Sequence, residues 1–175
     1  MANPTMTLIS SQTLGGATAS VTFSSIPSTY NDLKLVVSAK GDSIQNWVKI
    51  NLNLNSDTAT NYSDTNLVGN SSAVTTSRQT SVTVDGSIAV NAVTAIGNPF
   101  GSTEIYFPNY NSTGSKPFFD IDVTENNGVV ATNVQTQAIA HLYRGSSGIS
   151  SITLTPASGN FVQYSSFYLY GIKNS

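Results

Sequence analysis

Apolar and polar residues alternate along most of this chain with a period of two. The run from Trp47 to Leu54 shows it cleanly: Val48, Ile50, Leu52 and Leu54 alternate with Lys49, Asn51 and Asn53. Successive side chains of an extended strand point to opposite faces, so this alternation predicts a strand with one face buried. Comparable runs predict strands at 18–23, 33–40, 80–84, 88–95, 103–107, 118–125, 134–143, 151–155 and 167–172, rich in the β-branched and aromatic residues that strands favour. Turn-forming residues separate them at Gly15-Gly16, Ile26-Pro27, Gly41-Asp42, Gly97-Asn98-Pro99, Asn109–Lys116, Asn126-Asn-Gly128, Gly145–Gly148 and Pro156–Asn160. Asp85-Gly86, between two apolar runs, predicts a tight hairpin. The polar stretch Asn55–Ser81 reads as a long surface loop with at most one short strand, and loops of that length often carry function.

No amphipathic face with the helical period extends over ten residues. The nearest candidate, 131–144, alternates instead: Gln135, Gln137, Ile139 and His141 against Val134, Thr136, Ala138 and Ala140. Nine to eleven short strands without crossover helices predict an all-β fold, an antiparallel β-sandwich of the jelly-roll kind. The 175 residues amount to one domain, spanning 1–175. The same alternation assigns faces. Phe119, Ile121 and Val123 are expected in the core, with Asp120 and Asp122 on a solvated face. Phe167 and Leu169 are expected inside, with Tyr168 and Tyr170 outside, and Lys34 and Lys40 are expected to guard a sheet edge against aggregation.

Composition narrows the functional classes. Charged residues make up 9% of the chain, far below the average of about 25%. Ser, Thr and Asn together exceed a third. The net charge of −2 excludes the clustered basic footprint of a nucleic-acid binder and the basic helix of a membrane-surface protein. The absence of cysteine excludes disulfides, thiolate zinc sites and a cysteine nucleophile. No apolar run is long enough to cross a membrane as a helix, and Met1–Gln12 lacks the basic and apolar regions of a signal peptide, so none is expected.

Candidate chemistry is sparse. His141 is the one histidine, and no Gly-x-Ser-x-Gly elbow accompanies it, so it reads as a surface or interface group. Asp120 and Asp122, two apart on a strand, would project side by side about 7 Å apart. That separation falls in the range of about 6.5–9.5 Å used by inverting glycosidases, but a solvated strand face opposite Phe119, Ile121 and Val123 explains the pair without any function and is the preferred reading. Asp57, Asn61 and Asp64 supply oxygen ligands suited to Ca²⁺, but their spacing matches no EF-hand loop and also fits Asx turns. No phosphate-binding glycine loop occurs. No cofactor or metal is expected. The tyrosines Tyr168 and Tyr170, with apolar area and a polar tip, suit a partner surface.

Several segments together resemble small jelly-roll virion proteins of tailed bacteriophages. They are Thr7–Leu14 (Thr-Leu-Ile-Ser-Ser-Gln-Thr-Leu), Val21–Leu33 with its Ile-Pro-x-x-Tyr-x-Asp-Leu ending, Asn55–Ser63, Thr103–Tyr110, and the closing Ile152–Pro156, Gly159–Phe161 and Phe167–Ile172. The resemblance covers nearly the whole chain and carries no catalytic motif. It implies a non-enzymatic capsid decoration or cement subunit on the particle surface, assembled in the host cytoplasm. The implied partners are the major capsid protein and copies of the chain itself, as a homotrimer at local symmetry axes, with neither nucleic acid nor membrane involved. Expected contacts are Tyr168, Tyr170, Tyr110 and Asn111, together with Asp57, Asn61 and Tyr62 in the polar loop. A tail or adsorption protein that binds host-surface glycan is the alternative.

Overall fold

The computed structural model describes residues 5–70, 73–95, 99–125 and 134–173. Twelve strands run through them: β1 (Met6–Thr13), β2 (Val21–Phe23), β3 (Asp32–Ala39), β4 (Trp47–Leu54), β5 (Tyr62–Gly69), β6 (Val74–Val82), β7 (Asp85–Asn91), β8 (Gly101–Phe107), β9 (Lys116–Glu125), β10 (Val134–Tyr143), β11 (Ile152–Pro156) and β12 (Ser166–Ile172). No helix occurs among the described residues. The turn signals at Gly97-Asn98 and Asn126–Gly128 lie outside them.

With the hairpins β5–β6 and β9–β10 set aside, the other eight strands form one ribbon rolled on itself. β1 pairs with β12, β2 with β11, β3 with β8 and β4 with β7, all antiparallel. β12 also joins β3, and β11 joins β4. The result is one sheet ordered β1-β12-β3-β8 and a second ordered β2-β11-β4-β7, the arrangement of a jelly roll. The two hairpins are insertions that lengthen the first sheet, which continues as β9-β10-β5-β6.

The core lies between the sheets. Leu33, Leu35, Val37, Ile105, Phe107, Phe167 and Leu169 point inward from the long sheet. Val21, Phe23, Val48, Ile50, Leu52, Leu54, Ile88, Val90, Ile152 and Leu154 meet them from the short one. Each such side chain contributes about 1.5–3 kcal/mol through removal from water.

Three sequence expectations change here. The segment Asn55–Ser81 is no loop: it holds most of the β5–β6 hairpin, whose strands pair along their length. Asp85-Gly86 does not turn a hairpin, because β6 and β7 belong to different sheets. Lys34 and Lys40 guard no edge. Lys34 sits on β3 between β12 and β8, and Lys40 is buried.

Candidate functional site

The long sheet has eight strands and the short one four, so β9, β10 and β5 reach beyond most of the cover. β7, at the rim of the short sheet, packs over all three and over β8. Under β7 the interior is polar. Asp64, Asp85, Asp120, Asp122, Gln135, Gln137 and His141 are each 5% exposed or less. The expectation for β9 is therefore inverted: Asp120 and Asp122 face inward, while Phe119, Ile121 and Val123 are 49%, 48% and 41% exposed. His141 is likewise an interior group and not a surface one.

His141 bridges two carboxylates. Its Nδ1 bonds to Asp85 on β7, and its Nε2 lies 2.5 Å from Asp120 Oδ1 on β9. Its ring stacks on Phe118 with centroids 4.5 Å apart. Burial by itself would lower the basicity of the imidazole, but the hydrogen bonds that the imidazolium donates to Asp120 and Asp85 outweigh it and lift the pKa to about 9. Burial pushes Asp122 up to about 8, against the opposing hydrogen bond from the Ala89 N–H at 2.9 Å. Burial also raises Asp120, against the pull of His141. The cluster thus holds protons at neutral pH, but both ring nitrogens are engaged and no path leads a substrate to them. The same burial closes Asp120 and Asp122 to a polysaccharide. Among the described residues no three His, Cys, Asp or Glu side chains are disposed to hold a metal ion.

The loops 55–61, 109–115 and 144–150 gather at one end of the sandwich. Asp57 accepts hydrogen bonds from the Asn61 side chain and the Ala59 N–H, both at 2.8 Å, which hold its carboxyl below the usual range. This is the Asx-turn arrangement, and Asp64 points away from it into the interior, so Asp57, Asn61 and Asp64 form no shared cation site. Asn55 ties the turn to the third loop, donating to the Gly148 carbonyl and accepting from the Ser150 N–H. Asn55, Asp57, Asn61, Arg144, Ser146, Ser147 and Ser150 line an open polar concavity there. Asn111 is exposed nearby.

Two tyrosines expected at contacts are core residues. Tyr62 is fully buried, its hydroxyl accepting from the Leu54 N–H at 2.9 Å and its ring stacked on Tyr143. Burial raises its pKa above the ordinary value. Tyr110 is 1% exposed and donates to the Pro27 carbonyl. Neither presents a surface to a partner.

Tyr168 and Tyr170 do face outward from β12, and the strand registers place them on a larger surface. One row across the long sheet reads Leu8, Tyr170, Lys34, Tyr106, Phe119, Ala140, Thr65, Arg78. The next reads Ser11, Tyr168, Val36, Glu104, Ile121, Ala138, Leu67, Thr76. A third runs Ser166, Ser38, Ser102, Val123, Thr136, Gly69, Val74. An apolar field centred on β9 and β10 thus continues through Tyr106 toward Tyr170. Sequence reasoning missed that field, since it put β9's apolar residues in the core.

The class that this architecture defines is an all-β, two-sheet antiparallel jelly roll. No protein-family model matches the chain, and no curated protein matches it. Among solved structures, galectin LEC-6 of Caenorhabditis elegans is similar at 12% identity and a TM-score of 0.35, over 97% of this chain and 98% of that one.

Proposed function

We propose that this chain is a non-enzymatic structural subunit of a bacteriophage particle, a jelly-roll decoration protein that docks on the assembled head shell. The observation that carries the reading is the outward apolar face of β9, where Phe119, Ile121 and Val123 stand in solvent while Asp120, Asp122 and His141 are sealed inside. Contiguous apolar surface on a folded domain marks an interaction site, and nothing reactive is offered beside it. The partners in this reading are the major capsid protein and further copies of the chain. Binding the assembled shell in preference to its free subunits would stabilise the shell by mass action. The segments that resemble phage virion proteins are strands and turns of this same scaffold, which supports the assignment. The test is the copy number of the chain in purified particles, by quantitative mass spectrometry. Hundreds of copies are expected, comparable to the major capsid protein, and absence from particles overturns the proposal.

The polar concavity at the loop end favours a second reading, a tail or adsorption protein that binds glycan. Arg144, Asp57, Asn61 and the neighbouring serines offer the donors and acceptors a sugar needs. About a dozen copies per particle, with hits on a glycan array that vanish on Arg144→Ala, would establish it.

A further inference from the structure

We infer that the outer face of the long sheet is the contact between two copies of this chain, packed face to face about a two-fold axis that runs parallel to the strands over β10. The inference rests on the reading above that this face is a docking surface, and it names the occupant.

Size is the first argument. About an axis over β10 the strands that find a partner opposite run from β8 to β6, five in all, about 24 Å at the usual strand spacing. The three rows of outward residues add about 20 Å in the other direction, giving about 480 Å² per copy. Two such faces total about 1,000 Å², the least that a specific contact with well-matched sides clears. The centre is apolar and uncharged, as the core of such a contact is.

Self-complementarity is the second argument. An axis over β10 sets Ala138 and Ala140, both small, against their own symmetry mates, so the sheets can approach closely. It sets β9 against β5 of the partner. The large Phe119 then meets Thr65 of the partner subunit, and Ile121 meets Leu67 of the partner subunit. β8 comes opposite β6, which brings Glu104 within one row of Arg78 of the partner subunit. Within these rows the charged side chains are Lys34, Glu104 and Arg78. Lys34 and Glu104 pair at 2.7 Å on one flank, and Arg78 lies on the other. The two-fold therefore places Glu104 of each copy diagonally across from Arg78 of the partner subunit at both margins, a charge match suited to an isologous contact. The trimer that the resemblance implies would need two different patches and leaves this match unused.

The experiment uses the full chain, its mass measured by sedimentation equilibrium in the micromolar range. The expected mass is twice 18.4 kDa. Ile121→Glu and, separately, Leu67→Lys are expected to give folded monomers with unchanged circular dichroism, since both side chains are about half exposed. Val93→Glu, exposed and outside these rows, is expected to stay dimeric. Because the chain has no cysteine, Ala138→Cys treated with a short bismaleimide is expected to give a covalent dimer, and Ala157→Cys is expected not to. A monomer at every concentration, a trimer, or a dimer that survives both charge substitutions overturns the inference. A monomeric chain found at high copy on particles would sink the dimer and leave the docking reading standing. A dimeric chain absent from particles would do the reverse.

Discussion

Phe118 and His141 lie ring on ring, 7° from parallel, within the polar interior under β7. The aromatic face fixes the plane of the imidazole, and that plane aims Nδ1 at β7 and Nε2 at Asp120. One side chain on β10 thereby links the short sheet to the long one through ionic hydrogen bonds.

Removing that link leaves two buried carboxylates without their cation. His141→Ala is expected to cost about 3–5 kcal/mol, the usual penalty for breaking a buried pair on one side. Urea denaturation followed by tryptophan fluorescence measures it, and a cost below about 1 kcal/mol would mean that the bridge contributes little.

The same cluster sets the pH dependence. His141 titrates near 9 in the folded chain, against about 6.5 when unfolded. The raised pKa means the folded state holds the proton more tightly, so its stabilisation is complete below about pH 6.5 and is lost as pH rises through about 9. Asp122 acts in the same direction: raised to about 8 from about 3.9, it disfavours folding progressively as it is forced to ionise. The melting temperature is therefore expected to fall between pH 6.5 and pH 9. Asp122→Asn, which keeps the shape of the protonated acid, should flatten the part of that fall due to Asp122. A melting temperature that rises over this interval would contradict both assignments.

Tyr62→Phe deletes a hydroxyl that accepts from the buried Leu54 N–H and donates to the Leu54 carbonyl. A loss of about 1–3 kcal/mol is expected, because the Leu54 N–H loses its acceptor in a dry interior, whereas the Leu54 carbonyl still accepts from the Asp57 N–H. Chemical denaturation of the two proteins side by side measures the difference.

On β9 the ordinary rule for strand substitutions runs backwards. Ile121→Thr, at an apolar position, is expected to change the stability of the monomeric chain by no more than about 0.5 kcal/mol, as exposed sites do. Asp120→Leu, a change towards the apolar character that interiors favour, is expected to destabilise it by about 3–5 kcal/mol, since it takes from the buried imidazolium one of its two carboxylates. Equal effects from the two would show that the faces of β9 are not as described.

β4 and β10 could be read from the sequence to the residue, because a long alternating run leaves no choice of register. The jelly-roll class followed from the number and shortness of such runs. β5 could not be read. Its inward positions are Tyr62, Asp64 and Asn66, so the buried face is as polar as the exposed one. β1 escaped for a different reason: it is an edge strand with no buried residue, and a bulge between Leu8 and Ser10 breaks its period. In β9 and β10 the period was plain but its sense was reversed, since alternation says that two faces differ and not which one is covered. The signal that could have corrected it was the meeting of several polar interiors: Asp120-x-Asp122 and Gln135-x-Gln137 at strand spacing, with a lone histidine on the same face.

The rolled ribbon has a mechanical consequence. Because β1 lies against β12, Thr5 and Lys173 sit side by side, joined by a backbone hydrogen bond of 2.9 Å. A tug applied to both residues loads the β1–β12 seam one rung at a time, like a zipper, and never shears the whole row together. The outermost strand should therefore peel away at low force while the rest of the sandwich, tensioned only after β1 is gone, stays shut.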